Sequence, residues 1–292
     1  MRFFKASFFV VLVLLMSVTV FAEKGPVPDK VYFDVRMDEN IGINDVAAGT
    51  SDIFYYGVGG HVIDGLDSET LNELEVYEVP SGSFSLQINP YPNEAPYTFE
   101  KDGETIFNPF AIREVRFAMN FLINRQYIVD EILGGAGGPM YNMATPGQPG
   151  TYRYNQIASK FGFTPEGDEE RAISDITAAL EEAAQLPENQ GRLLKESDFW
   201  TYDGEPVTIK FFIRVDNPEL HKEGEYITQQ LEKAGIAVEQ LLWDRSKTTP
   251  VVYSGRPDDW EYTIYTEAWG AGATRRYWEH IVAQMYSPWY GY

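Results

Sequence analysis

No cysteine occurs in the 292-residue sequence. Its absence excludes disulfides, thiolate metal sites and a lipid-modified N-terminal cysteine, so packing and hydrogen bonding must carry the fold. Histidine is scarce: His61, His221 and His280 stand far apart, and none falls in the two-histidine helical spacing of a zinc hydrolase. Positive charge is short as well, with 23 Lys and Arg against 44 Asp and Glu and a formal net charge of -21. Affinity for a phosphate backbone rests mainly on Lys and Arg, so nucleic acid is not an expected partner. After the first 22 residues no second long apolar run appears.

What is present is material for a core. At 44% hydrophobic and 15% aromatic, the chain has the composition of a globular protein and the length for one large domain or two ordinary ones. Arg2 and Lys5 precede the apolar run Phe8 to Met16, and Val20, Phe21 and Ala22 form a small-residue cleavage site; residues 1–22 therefore read as a signal peptide. The run is short for a spanning helix of about 20 residues. The mature chain is expected to be soluble and outside the cytoplasmic membrane, periplasmic or extracellular.

Val31, Phe33 and Val35 alternate with Tyr32, Asp34 and Arg36, which predicts a half-buried strand. A short helix is expected over Asn44 to Ala48, ended by Gly49, then strands over Ile53 to Tyr56, Leu74 to Val79 and Phe84 to Ile88. The stretch FNPFAIREVRFAMNFLINRQYIVDEILGG sets Arg113, Arg116 and Arg125 around an apolar stripe of Val115, Ala118, Met119, Leu122 and Ile123. Asn124 is placed to cap a second helix that Gly134 and Gly135 stop. A loop over Gly134 to Gly150 and a helix from Asp168 follow. Then VTIKFFI, the helix Pro218 to Ala234 and IAVEQLLW form a βαβ unit, and Trp260 to Glu267 a last strand leading to a Gly-rich turn and a helix. Strands alternating with helices indicate an α/β architecture.

Catalytic constellations are weak. GGAGGP at Gly134 to Pro139 lacks the Gly-Lys-Ser/Thr ending of a phosphate loop and follows a helix, so it reads as a turn. Asp258-Asp259 and Glu181-Glu182 are carboxylate pairs of the kind a glycosidase uses, but among 44 carboxylates a solvated face explains them better. Aromatic residues are the positive signal: Tyr55, Tyr56, Trp269, Tyr277 and Trp278 sit at strand ends or in turns, where α/β proteins place ligands. Their rings suit sugar rings or peptide side chains, and equally suit a core.

NPF followed by VRFAMNFLINRQYIV resembles the NPxF…VRxAxxxAIDRxxIV signature of the extracellular solute-binding proteins of family 5, the dipeptide, oligopeptide and nickel-type receptors of ABC importers. DVAAGTSDIF, DGEPVTIKFFI and ITQQLEKAGIAVEQ resemble further family segments in the same order. The resemblance implies an α/β, periplasmic-binding-protein-like fold of type II, two-lobed with a hinge and incomplete relative to the family. It implies residues 23–86 as a partial first lobe and 87–292 as a second lobe with hinge-crossing strands. It also implies a monomer that captures a peptide or oligosaccharide for a membrane permease, without catalysis, cofactor or metal. Tyr55, Tyr56, Trp269, Gly270, Arg275, Tyr277 and Trp278 are the expected ligand-binding residues.

Three departures qualify the resemblance. Asn124 replaces the family's aspartate, keeping a cap and losing a charge. After Trp269 the chain reads WGAGATRR, without the aspartate that receives a peptide's amino group in relatives. That makes an oligosaccharide a serious candidate beside a peptide, since stacking on aromatics needs no such charge; Arg275 and Arg276 offer a receiver for an anionic group instead, although adjacent arginines more often stay solvated. Finally, the chain is shorter than the family's usual members. A truncated receptor fragment that binds nothing, and a secreted glycoside hydrolase, are the alternatives.

Overall fold

The computed structural model describes residues 28–78, 82–145 and 151–270. Its centre is a four-stranded sheet in the order β1-β9-β7-β8, with β1 Gly82–Ile88, β7 Thr208–Arg214, β8 Ala237–Trp243 and β9 Ile264–Gly270. β7 runs parallel to both β8 and β9, whereas β1 runs antiparallel to β9, with Gly82 opposite Gly270 and Ile88 opposite Ile264.

β7 is nearly continuous in apolar residues because both of its faces are covered. Ile209, Phe211 and Ile213 enter the main core, while Phe212 enters a second cluster with Tyr265 and Val252 on the opposite face. Fully burying each such side chain contributes about 1.5–3 kcal/mol before chain entropy is set against it.

The helices bring their predicted stripes to this sheet. The helix Arg113–Leu122 buries Val115, Ala118, Met119, Phe121 and Leu122, and packs along Glu169–Ala184, which buries Ala172, Ile176, Ala179, Leu180 and Ala183. The long helix joining β7 to β8, Pro218–Lys233, starts at Asn217, whose Oδ1 accepts from Leu220 N at 2.8 Å, and is followed by Gly235 at φ +82°. Its Gly224 lies so close to Ile213 that an added Cβ would meet the Ile213 side chain at 2.5 Å. The Glu169–Ala184 helix starts where expected, with Asp168 as its cap.

Several expectations are corrected. Residues 31–35, 53–56 and 74–78 form no strand. Alternation predicts a strand only where a neighbouring strand satisfies the backbone, and no described strand pairs with these segments. The short helix runs Glu39–Ala47, starting at Asp38 instead of Asn44. The last strand begins at Ile264, because Trp260 adopts a left-handed conformation after the turn Pro257–Asp259.

Unanticipated elements include the hairpin of β2 (Thr98–Lys101) and β3 (Glu104–Phe107) and the meander of β4 (Leu193–Glu196), β5 (Phe199–Tyr202) and β6 (Glu205–Pro206). The helices Thr151–Phe161 and Arg245–Ser254 were likewise not expected. Residues 134–145 carry neither helix nor strand, in line with the loop expected there, whereas 146–150 and the helix expected after Trp269 lie outside the described residues.

Arg113, Arg116 and Arg125 resolve into different roles. Arg113 is exposed beside Glu114 at 4.0 Å. Arg116 donates through Nη1 to Phe110 O at 2.5 Å and through Nη2 to Asn93 Oδ1 at 2.9 Å. Arg125 is half-buried: it donates to Met140 O at 2.8 Å, Asn120 O at 3.0 Å and Asn120 Oδ1 at 3.0 Å, and lies over the Tyr141 ring. Burial pushes its pKa below the usual guanidinium value.

Candidate functional site

In a parallel sheet the carboxyl ends of the strands gather loops at one edge, where ligands bind. Here that edge joins the end of β7 at Arg214, the end of β9 at Trp269 and Gly270, and the start of the antiparallel β1. Trp269 is half-buried; its Nε1 donates to Ser85 Oγ on β1 at 2.8 Å, and its ring stands edge-on to Tyr253 with centroids 6.3 Å apart. Gly270 is exposed and pairs with Gly82.

Beneath Trp269 lies a closed network of charge. Arg214 is 7% exposed and Glu267 2%. Arg214 Nη1 donates to Glu267 Oε1 at 2.8 Å, while its Nε and Nη2 bond both oxygens of Asp216 at 3.1 and 2.6 Å. The other oxygen of Glu267 accepts from the Tyr253 hydroxyl at 2.5 Å, and Oε1 also accepts from Ala268 N at 2.8 Å.

Burial by itself would lower the pKa of Arg214, but the bonds to Asp216 and the charges of Asp216 and Glu267 more than offset it, so the guanidinium lies above its ordinary value. Burial raises Asp216 in turn, and the Arg214 bond and charge together with backbone N–H donors, Arg245 N among them, outweigh that, leaving its carboxyl below the usual range. Burial, then the bond to Glu267, pushes the Tyr253 hydroxyl up. The charges are thus satisfied internally.

The expected site residues are only partly brought together. Trp269 and Gly270 stand side by side at the end of β9. Tyr55 and Tyr56 lie in the N-terminal segment, 97% and 76% exposed, not at a strand end. Arg275, Tyr277 and Trp278 lie outside the described residues, as does Arg276. Ser85, Arg214, Asp216, Tyr253 and Glu267 were missed by sequence reasoning. The legible signal was charge interrupting apolar strands, since Arg and Glu are seldom buried unpaired.

The carboxylate pairs weighed for glycosidase chemistry have structural partners or face water. Asp258 pairs with Arg256 at 2.6 Å and Asp259 accepts from Arg256 N at 2.8 Å, while Glu181 and Glu182 are exposed on their helix. His61 faces Glu219 at 3.4 Å and His221 faces Glu225 at 3.8 Å; His280 lies outside the described residues. Among the described residues no three metal-ligating side chains converge.

The family model described as bacterial extracellular solute-binding proteins, family 5, middle, matches residues 21–278. No curated protein matches the chain. Among solved structures, the fold is similar to a mannohexaose-bound periplasmic oligopeptide-binding protein of an oligopeptide ABC transporter from Thermotoga maritima, at 22% identity and a TM-score of 0.52, covering 82% of this chain and 40% of that one. It is also similar to the oligopeptide-binding protein AppA from Bacillus subtilis in complex with a nonapeptide, at 18% identity and 0.51, covering 81% and 40%. A third similar structure is the periplasmic binding protein MelB from Agrobacterium fabrum in complex with stachyose, at 16% identity and 0.51, covering 77% and 32%. The chain therefore spans 40% or less of the length of these solved proteins.

Proposed function

The chain belongs to the bacterial extracellular solute-binding proteins of family 5, and from that premise we propose that it captures a peptide or an oligosaccharide outside the cytoplasmic membrane and delivers it to the permease of an ABC importer. Its α/β fold is part of a type II periplasmic binding-protein fold. Members of the family bind solutes; capture and release need a shift between open and closed states, not a chemical catalyst.

The observation that carries this reading is Trp269 at the carboxyl end of β9, an aromatic face beside a network whose charges are already paired. Such a face stacks on a sugar ring or a peptide side chain without needing a countercharge. On this reading residues 1–22 direct export, residues 23–86 contribute to a first lobe and 87–292 to a second. β1 and β9 are then the strands that link the lobes, Tyr55 and Tyr56 face the solute from the first lobe, and Arg275, Tyr277 and Trp278 are further solute-binding residues. The receptor acts as a monomer.

The test is a ligand titration of the mature chain with mannohexaose, stachyose and a nonapeptide. Binding by one class supports the reading. The second reading, a receptor fragment that binds nothing by itself, is favoured by the exposed apolar side chains of the N-terminal segment, among them Tyr32, Phe33 and Met37. It predicts that no class binds.

A further inference from the structure

β9 runs past the end of β7, and the stretch that carries Trp269 is held there by side chains as well as by β1. Glu267 is the point where three elements meet. Its Oε1 takes the Arg214 guanidinium from β7 and the Ala268 amide at the root of the Trp269 stretch, both at 2.8 Å. Its Oε2 takes the hydroxyl of Tyr253, from the helix Arg245–Ser254, at 2.5 Å. The Tyr253 ring then stands at 81° to the indole of Trp269.

Burial makes this arrangement rigid, because a carboxylate shut off from water cannot exchange its partners for solvent. Arg214 is itself fixed by both oxygens of Asp216, and by its backbone N–H, which donates to Thr266 Oγ1 at 3.0 Å. The indole is left with Ser85 on one side and Tyr253 on the other.

We propose that Glu267, clamped by Arg214 and Tyr253, is a positioning residue that sets the angle of the Trp269 ring toward the solute. The inference rests on the reading of Trp269 as a solute-facing residue, and it concerns how that ring is held before any solute arrives. Tyr253 transmits the constraint through its hydroxyl to Glu267 and through its ring edge to Trp269. Glu267 itself, being buried, touches no solute.

The test is fluorine NMR of the full chain labelled with 5-fluorotryptophan, in which Trp269→Phe identifies the Trp269 line among the six tryptophans. Tyr253→Phe keeps the ring and removes only the hydroxyl. It is expected to shift or broaden the Trp269 line in the absence of any ligand while the other lines stay in place. Glu267→Gln is expected to do the same more strongly; if it fails to fold, Tyr253→Phe decides. An unchanged Trp269 line in Tyr253→Phe, or equal movement of all lines, overturns the proposal.

Titration of the wild type with mannohexaose is read separately. Absence of binding there counts against the receptor reading and leaves the ligand-free line positions to decide the positioning role. Where binding occurs, Tyr253→Phe is expected to weaken it several-fold.

Discussion

Arg214, the last residue of β7, holds Glu267 of β9 at 2.8 Å, and both side chains are closed off from water. Taking two charges out of water is costly, and their attraction offsets that cost only with good geometry and satisfied remaining atoms. Both conditions hold here, through Asp216, Tyr253 and Ala268. Removing one partner leaves the other charge buried. Arg214→Ala or Glu267→Ala is expected to lower stability by about 3–5 kcal/mol in urea unfolding. Replacing both together by apolar residues of similar volume is expected to recover part of that loss.

Glu223 gives a pH dependence of definite sign. It is 5% exposed on the inner face of the Pro218–Lys233 helix, its Oε2 has no hydrogen-bond partner, and burial pushes its pKa up from 4.5 to about 8. The folded state therefore keeps a proton that the unfolded chain releases near 4.5. The stability associated with this group is fully present below that value and is lost as pH rises toward 8, by an amount on the order of a few kcal/mol. Glu223→Gln is expected to flatten this part of the profile between pH 5 and 9, read as the difference in urea midpoints between variant and wild type. A parallel fall in both proteins counts against it.

Arg125 tests whether the arginines around the Arg113–Leu122 stripe are structural. Its fork reaches two backbone carbonyls and an amide oxygen from one half-buried position, a geometry that a lysine cannot reproduce. Arg125→Lys is expected to cost about 1–3 kcal/mol, because half-buried acceptors lose their donors. Arg113→Lys, at the exposed start of the preceding helix Arg113–Leu122, is expected to be near neutral by thermal unfolding.

Asn124 tests the departure from the family's aspartate. Its Oδ1 accepts from Tyr127 N at 2.8 Å, so the cap is intact with an amide in place of a carboxylate. Asn124→Ala is expected to cost about 1 kcal/mol. Asn124→Asp keeps the cap and adds a charge at a helix start, with an expected gain of ~0.3–1 kcal/mol. A loss with aspartate would show that the amide is required there.

Legibility of the sequence varied with the kind of signal. The βαβ unit, the helix pair, the cap at Asn124 and the helix start at Asp168 were readable because periodicity and capping are local. The two hairpins were missed although each carried a readable sign. Asp102-Gly103 and Asp203-Gly204 both have positive φ, the two-residue turn that Asp-Gly favours.

The strand expected at Val31 to Val35 failed for another reason. Alternation reports what a segment can pair with, and no partner strand lies among the described residues. At the site, Trp269 was legible as an aromatic at a strand end. The Arg214–Glu267–Tyr253 network was not, since contacts between residues 53 and 14 positions apart follow from the sheet register and helix packing, which the sequence does not display.

Trp269 is expected to supply binding energy directly. A single aromatic contact is worth about 1 kcal/mol, so Trp269→Ala should weaken solute binding roughly five- to tenfold. Ser85→Ala, which releases the indole N–H, should weaken binding less.

The most direct measurement is a thermal-shift titration of the mature chain with mannohexaose, stachyose and a nonapeptide, with a longer family member measured beside it. A ligand that binds only the folded state raises Tm in proportion to the logarithm of its excess over Kd. The receptor account predicts a concentration-dependent rise with at least one solute, diminished in Trp269→Ala. A melting curve that none of the three solutes moves, beside a longer relative that responds, would contradict it.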